Sequence, residues 1–360
     1  MPRDIREVRF DGTFRERGLQ RGRRLRETLT IPEVGPVDED FVDACAQQVQ
    51  QAYPPALEEF EAILEASDFD RARFRAYYFA RLESRVGCTM VALPSDSTPP
   101  GTGAVVGHNY DWATADRKWC ELHRYRNPDG RRRLAYTHHW AGEADVLNDA
   151  GLFVCISALP PAPVRAPGMQ WNLAVDMVSE CCETVEEAVE KLASVRHLRP
   201  MSYMLADAGG DAAIVEALPG EVRCRRADDA PIAAANVRRG GELLKDWTGP
   251  LPPGSLDSQL SPGADLHDPE SEEWSVRRVE RVLELPDDGT ADLSAVESAL
   301  SDHESPVCRH RNPRWGTIWS AVCLPHVRTL HIAAGAPCRT PYRRFALHPG
   351  GRTLGSGAEA

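Results

Sequence analysis

The chain has 360 residues and a formal net charge of −12, so it can hold one large domain or two ordinary ones with a sizeable core. The acid excess argues against nucleic acid as a partner, and arginine groups such as Arg21 to Arg26 and Arg131 to Arg133 read as solvated faces. The sequence opens without the apolar core of a signal peptide, and no apolar run nears the roughly 20 residues that span a bilayer. Both features predict a soluble, cytoplasmic protein with no membrane partner.

In chain order, Ile5 to Phe10 alternates as a strand, and Gly12 to Gly22 leads into a basic helix ending near Leu29. Apolar positions fall at helical spacing from Glu39 to Leu64 around Pro54-Pro55. They do so again from Arg71 to Glu83, with Phe74, Tyr77, Tyr78 and Leu82 on one side. From Cys88 the pattern changes to short runs of β-formers at 88–93, 104–109, 119–126 and 133–138, the last two joined by Asn127-Pro128-Asp129-Gly130. Ala144 to Leu147 and Leu152 to Ser157 form a further hairpin through Asn148-Asp149-Ala150-Gly151. Helices follow at Met169 to Cys182 and Thr184 to Val195, the second opened by a capping box from Thr184 to Glu187. Strands resume at 201–207, 211–217, 221–226 and 231–235. A loop rich in Pro, Gly, Ser and Asp spans Thr248 to Pro269. Helices then cover Glu272 to Leu285 and Ala291 to Asp302, and closing strands Thr317 to Leu324, Arg328 to Ala333 and Arg343 to Leu347; the tail from Gly350 reads as flexible. Two clusters of strands with two helical blocks between them suit a layered α+β sandwich.

Ten cysteines are scattered without a Cys-x-x-Cys pair and read as small core residues. His138-His139 cannot turn both rings to one strand face, and Cys308-Arg309-His310 lacks partners at zinc-like spacing. The expectation is no metal and no cofactor. Cys88 is different, because it follows Gly87 at the point where helix gives way to strand. Glycine gives a scissile backbone room to distort, so Gly87-Cys88 suits a thiol that attacks its own preceding carbonyl.

Gly87-Cys88-Thr89, followed by a second strand carrying Gly107-His108-Asn109-Tyr110-Asp111-Trp112, resembles the cysteine N-terminal nucleophile (Ntn) hydrolases. The nearest branch is that of isopenicillin N acyltransferase, the acyl-CoA:6-aminopenicillanic acid acyltransferase family; choloylglycine hydrolases are more distant. The resemblance runs from about Gly12 to Arg339. It implies a four-layer αββα sandwich of two antiparallel sheets between helical layers, and self-cleavage between Gly87 and Cys88. Residues 1–87 then form an α chain that stays docked on a β chain, 88–349, as one compact domain and a heterodimer, with 350–360 as a flexible tail.

The freed α-amine of Cys88, with a pKa near 8, is the implied base for its own thiol. Asp111 would hold that ammonium, much as a triad carboxylate orients imidazole. Asn236, ending the apolar run Pro231 to Ala235, corresponds to the family's oxyanion-hole amide, working with a backbone N–H after Ser157. The late segment from Leu300 ends in a site arginine, carried to Arg309 with Arg311 close by. His108 stands where choloylglycine hydrolases carry an arginine, which puts bile-salt specificity in doubt. Asn109 and Trp112 are support or substrate-contact positions, and Asn148 shapes its hairpin.

The implied activity is cleavage or transfer of an acyl group from a small-molecule amide or acyl thioester through a Cys88 thioester. Hydrolysis, amide-forming transfer and intramolecular cyclisation all stay open, as does a catalytically dead binding protein. A papain-like protease fits poorly, because its cysteine opens a helix.

Overall fold

Turn and cap chemistry sets most element boundaries. Thr13 caps the first helix by accepting from the Glu16 N–H, and Glu16 returns its carboxylate to the Thr13 N–H at 2.7 Å. Thr184 likewise accepts from the Glu187 N–H, but Glu187 reaches one residue further back than the box predicts, to the Glu183 N–H. The computed structural model describes residues 5–31, 38–81, 87–138, 142–160, 164–246, 256–257, 269–286 and 288–348. The tail from Gly350, the end of the Arg71 to Glu83 helix and most of the Thr248 to Pro269 loop lie outside these residues.

Strand β1 (Arg6–Asp11) precedes helices α1 (Phe14–Thr28), α2 (Glu39–Ala52), α3 (Pro55–Ala66) and α4 (Arg71–Ala80). Strands β2 (Gly87–Leu93), β3 (Val105–Ala113), β4 (Glu121–Arg126), β5 (Arg132–Thr137), β6 (Asp145–Asn148), β7 (Phe153–Ala158) and β8 (Val164–Arg165) lead to α5 (Trp171–Cys181) and α6 (Val185–Ala193). Then come β9 (Met201–Ala206), β10 (Ala212–Ala217), β11 (Glu221–Arg226), β12 (Ile232–Ala234), β13 (Glu242–Asp246) and β14 (Leu256–Asp257). Helices α7 (Pro269–Leu283) and α8 (Leu293–Leu300) precede β15 (Trp315–Leu324), β16 (Thr329–Ala333) and β17 (Arg343–Ala346). Strand β13 has no counterpart in the sequence reading; it is an edge strand with largely exposed side chains.

Among the described residues, nine strands form one sheet in the order β1-β4-β5-β6-β7-β9-β10-β11-β13, and six form another in the order β12-β2-β3-β15-β16-β17. Pairing is antiparallel except between β1 and β4, which run parallel. The two sheets face each other, with β2 over β7 and β9 and β12 over β10. Helices α5 and α6 cover the outer face of the larger sheet, and α7 and α8 that of the smaller one. This is a four-layer αββα arrangement. Polar atoms bridge the sheets: His108 Nδ1 lies 2.7 Å from Asp145 Oδ1, and the Trp319 indole N–H donates to Asp145 Oδ2 at 2.8 Å.

The leading segment is bound into this core by more than apolar contact. Gly18 and Gly22 let α1 sit directly on α3, since a Cβ there would come within 2.7 and 2.5 Å of the Glu59 and Ile63 carbonyl oxygens. Arg21, read from sequence as solvated, is buried; it pairs with Glu59 at 3.0 Å and with Glu143 at 3.1 Å, while His123 Nδ1 sits 2.9 Å from the same Glu143 oxygen. Arg17 and Arg133 are buried as well, and share the carboxylate oxygen of Glu180 at 2.7 and 2.6 Å. The runs divide: Arg23, Arg26 and Arg131 are exposed as read, whereas acids distant in sequence neutralise Arg21 and Arg133 inside. Burial alone would raise the Glu143 carboxyl, but the His123 and Arg21 charges outweigh it and hold the group well below the usual range. Removing one partner of such a set strands the others, at about 3–5 kcal/mol. Arg21→Met should therefore lower stability by about that much in urea unfolding; a loss below about 1 kcal/mol would mean the cluster is solvated.

Candidate active site

The pairing of β2 with β3 sets Cys88 opposite Tyr110 and Gly87 opposite Asp111. Cys88 is fully buried and packs with Met90 and Ala92 in the core between the sheets. On its other side β2 pairs with β12, where Met90 faces Ala234, so continuing that antiparallel register brings Asn236 level with Cys88. The Cys88 backbone N–H donates to Asn236 Oδ1 at 3.2 Å. The amide nitrogen of Asn236 donates to the Ala158 carbonyl at 2.8 Å and to Ser157 Oγ at 3.2 Å, both at the end of β7. The amide oxygen of Asn236, not the amide N–H expected to stabilise an oxyanion, therefore faces the Cys88 N–H.

Arg278, on α7, completes this side of the site and was not singled out in the sequence. Its guanidinium donates to the Cys88 carbonyl at 3.0 Å, Thr89 Oγ1 at 3.2 Å, Asn236 Oδ1 at 3.0 Å and Ser275 Oγ at 3.0 Å. Burial lowers its pKa to about 10, against the opposing pull of Asp111. A signal was available: Ser275, Arg278, Val279 and Val282 form the buried stripe of α7, and an arginine inside an apolar helical stripe needs acceptors there.

Asp111 is fully buried. Its Oδ1 accepts from Thr317 Oγ1 at 2.7 Å, while Oδ2 makes no hydrogen bond among the described residues and lies 3.6 Å from Arg278 and 3.7 Å from Arg309. Burial raises its pKa; Arg309, Arg278 and Thr317 pull it back. Thr317 also accepts from the Arg309 backbone N–H at 2.9 Å, which fixes the main chain of that arginine. Arg309 thus reaches Asp111, whereas Arg311 is exposed. A Cβ on Gly87 would meet the Arg309 guanidinium at 3.1 Å and Asp111 Cβ at 3.3 Å. The glycine therefore keeps the space beside the peptide bond before Cys88 narrow but open.

The remaining sequence candidates serve other contacts. His108 turns to Asp145 across the sheets. Asn109 donates to the Leu300 and Val307 carbonyls at 2.8 and 2.9 Å, pinning the segment that leads to Arg309. The Trp112 indole donates to Asp116 at 2.7 Å. Asn148 donates to the Ser179 and Cys182 carbonyls, tying its hairpin to the end of α5. Burial and the Asp111 charge push the thiol of Cys88 well above its ordinary pKa, which disfavours the thiolate.

Residues 98–339 match the family described as acyl-coenzyme A:6-aminopenicillanic acid acyl-transferase. The matched stretch includes Asp111, Asn236, Arg278 and Arg309 and begins after Cys88. No curated protein matches the chain. Similar solved structures include a mutant conjugated bile acid hydrolase from Clostridium perfringens, at 14% identity over 72% of this chain and 92% of that one, with a TM-score of 0.45. Penicillin V acylase from Agrobacterium tumefaciens is 16% identical over 69% and 82%, with a TM-score of 0.40. A Caenorhabditis elegans ortholog of N-acylethanolamine-hydrolyzing acid amidase is 14% identical over 66% and 93%, with a TM-score of 0.43. With the family match spanning well over half of its length, the chain belongs to the acyl-coenzyme A:6-aminopenicillanic acid acyl-transferase family.

Proposed function

We propose that the chain is a precursor that cuts itself between Gly87 and Cys88 and then works as an amidase or acyltransferase through a Cys88 thioester. The observation that carries this reading is the Cys88 backbone nitrogen, held at 3.2 Å by Asn236 while Asp111 stands opposite Gly87. In the cut, the thiol adds to the Gly87 carbonyl carbon and the peptide C–N bond breaks, leaving a thioester and a free amine on Cys88. Water then releases the Gly87 carboxylate. The new amine inherits the Asn236 contact, takes the thiol proton and leaves a thiolate to attack substrate.

Attack on a substrate carbonyl forms a tetrahedral oxyanion, and the protonated amine returns its proton to the departing group. Asp111 is assigned to hold the ammonium. Asn236 is assigned to the oxyanion, through the N–H that makes the longer contact to Ser157. Arg278 and Arg309 balance the Asp111 charge, and Arg278 also anchors the Cys88 carbonyl. Water is the proposed acyl acceptor, as it needs no second binding site. The substrate class is a small-molecule amide or acyl thioester; the family's acyl-coenzyme A donor is a thioester of that kind.

Segment 1–87 stays attached as the partner fragment, because β1 is hydrogen-bonded to β4 and Arg17 and Arg21 reach acids beyond the cut. A cytoplasmic setting belongs to the same proposal and suits the ten free thiols.

Denaturing mass spectrometry of purified protein should find fragments 1–87 and 88–360, summing to 39.8 kDa plus one water, that co-purify under native conditions. Cys88→Ala should stay whole and Cys88→Ser should cut slowly; a wild-type chain that remains whole, with a Cys88 that resists alkylation, removes the proposal. Once a substrate is in hand, Asn236→Ala should lower kcat about 100-fold with little change in KM, and Asp111→Asn should also slow maturation. Wild-type rates in both variants would mean the roles are misassigned. Adding an amine separates the acyl fates: acid release that persists at every amine concentration marks a hydrolase, and saturable amide formation marks a transferase.

A further inference from the structure

Two cysteines and two histidines from three places in the chain converge beside Arg309. His303 and the pair Cys308 and His310 lie between α8 and β15, and Cys338 lies in the turn after β16. One ligand atom from each of the four falls within 4.8 Å of all the others. The sulfurs are 3.6 Å apart, and His310 Nδ1 is 3.6 Å from Cys308 Sγ and 3.7 Å from Cys338 Sγ. The His303 and His310 rings stand edge to face, with centroids 4.8 Å apart.

The sulfur–sulfur and the two sulfur–nitrogen separations match edges of a zinc tetrahedron. Zn–S near 2.3 Å and Zn–N near 2.0–2.1 Å place two sulfurs about 3.8 Å apart and a sulfur and a nitrogen about 3.6 Å apart. A disulfide would bring the sulfurs to about 2.05 Å. A chain of thiol hydrogen bonds, Cys308 to Cys338 to His310, would use two of the three contacts and leave the third, Cys308 Sγ to His310 Nδ1 at 3.6 Å, without a proton of its own. A cation would be shared by Cys308, Cys338 and His310, with a His303 nitrogen within 4.8 Å of each of their ligand atoms. Spacing along the sequence hides the site, because Cys338 is remote from the Cys308-Arg309-His310 triplet and the sequence supplies no second pair at finger-like spacing.

We propose that His303, Cys308, His310 and Cys338 bind one zinc ion. Four protein ligands leave no open position, so the ion is structural. It ties the segment carrying Arg309 to the Cys338 turn, and two of its ligands flank Arg309 directly. Asp302 already braces the same segment, accepting the Ser305 N–H on its carboxylate and the Cys308 N–H on its carbonyl. The site is independent of whether Cys88 performs catalysis.

The test uses the full chain, purified under reducing conditions without added chelator, and elemental mass spectrometry. About one zinc per chain is expected, falling at least about fivefold in His303→Ala/Cys338→Ser, with circular dichroism to verify that the variant is folded. Cobalt added to zinc-stripped protein should give the intense visible bands of a tetrahedral site and a thiolate charge-transfer band, both absent in Cys338→Ser even where that variant is folded. Zinc retained at wild-type level by the folded double variant would overturn the proposal, as would wild-type protein with neither zinc nor cobalt bands. A Cys308–Cys338 disulfide in protein alkylated at lysis would also overturn it, in favour of a redox pair.

Discussion

A carboxylate shut away from solvent must find positive charge, and Asp111 is such a group: fully buried, hydrogen-bonded through one oxygen only among the described residues, with two guanidiniums near the other. An isolated ion at that depth would cost several kcal/mol. Its compensation recruits one partner from α7, one from the segment before β15 and one hydroxyl from β15 itself. Three separate parts of the chain are thereby drawn to the end of β2, and Cys88 occupies the point they surround. Arg278 is held just as firmly in return, since its other acceptors include the Cys88 carbonyl, Asn236 and two hydroxyls.

The same logic operates in the larger sheet, on a structural task. Glu59, Glu143, Asp176 and Glu180 meet Arg17, Arg21 and Arg133 below the surface. Burial raises the Asp176 carboxyl despite the nearby arginines, while Glu180, also disfavoured by burial, is pulled down by Arg133 and Arg17. Two acids in one cluster are pushed opposite ways because the cations do not serve them equally.

The strands and hairpins were legible because alternation and turn residues are local signals: Asn127 to Gly130 and Asn148 to Gly151 join the strands they were expected to join. Gly87-Cys88 and Asp111 were legible as a motif, and Asn236 as a polar amide closing an apolar run. Which atom of Asn236 faces Cys88 was not, since that depends on the end of β7 and on Arg278. Arg21 and Arg133 read as solvated and Arg278 carried no signal as a site residue for one reason: their neutralising partners lie far away in sequence or on another layer. His108 shares a strand with Asp111, yet its side chain joins the inter-sheet contacts with Asp145; only the pleat decides such a division.

The parallel pairing of β1 with β4 carries a consequence for the lifetime of a cut protein. In the uncut chain, strand and partner belong to one molecule, so unfolding and refolding are internal events whose loop closure depends weakly on length. On the proposed cut, the same strand and its buried arginines belong to a separate peptide, and regaining them after unfolding becomes a meeting of two molecules. Recovery then depends on concentration, while the folded pair persists for as long as its unfolding barrier holds. Folding would be a property of the precursor, and persistence a property of the product.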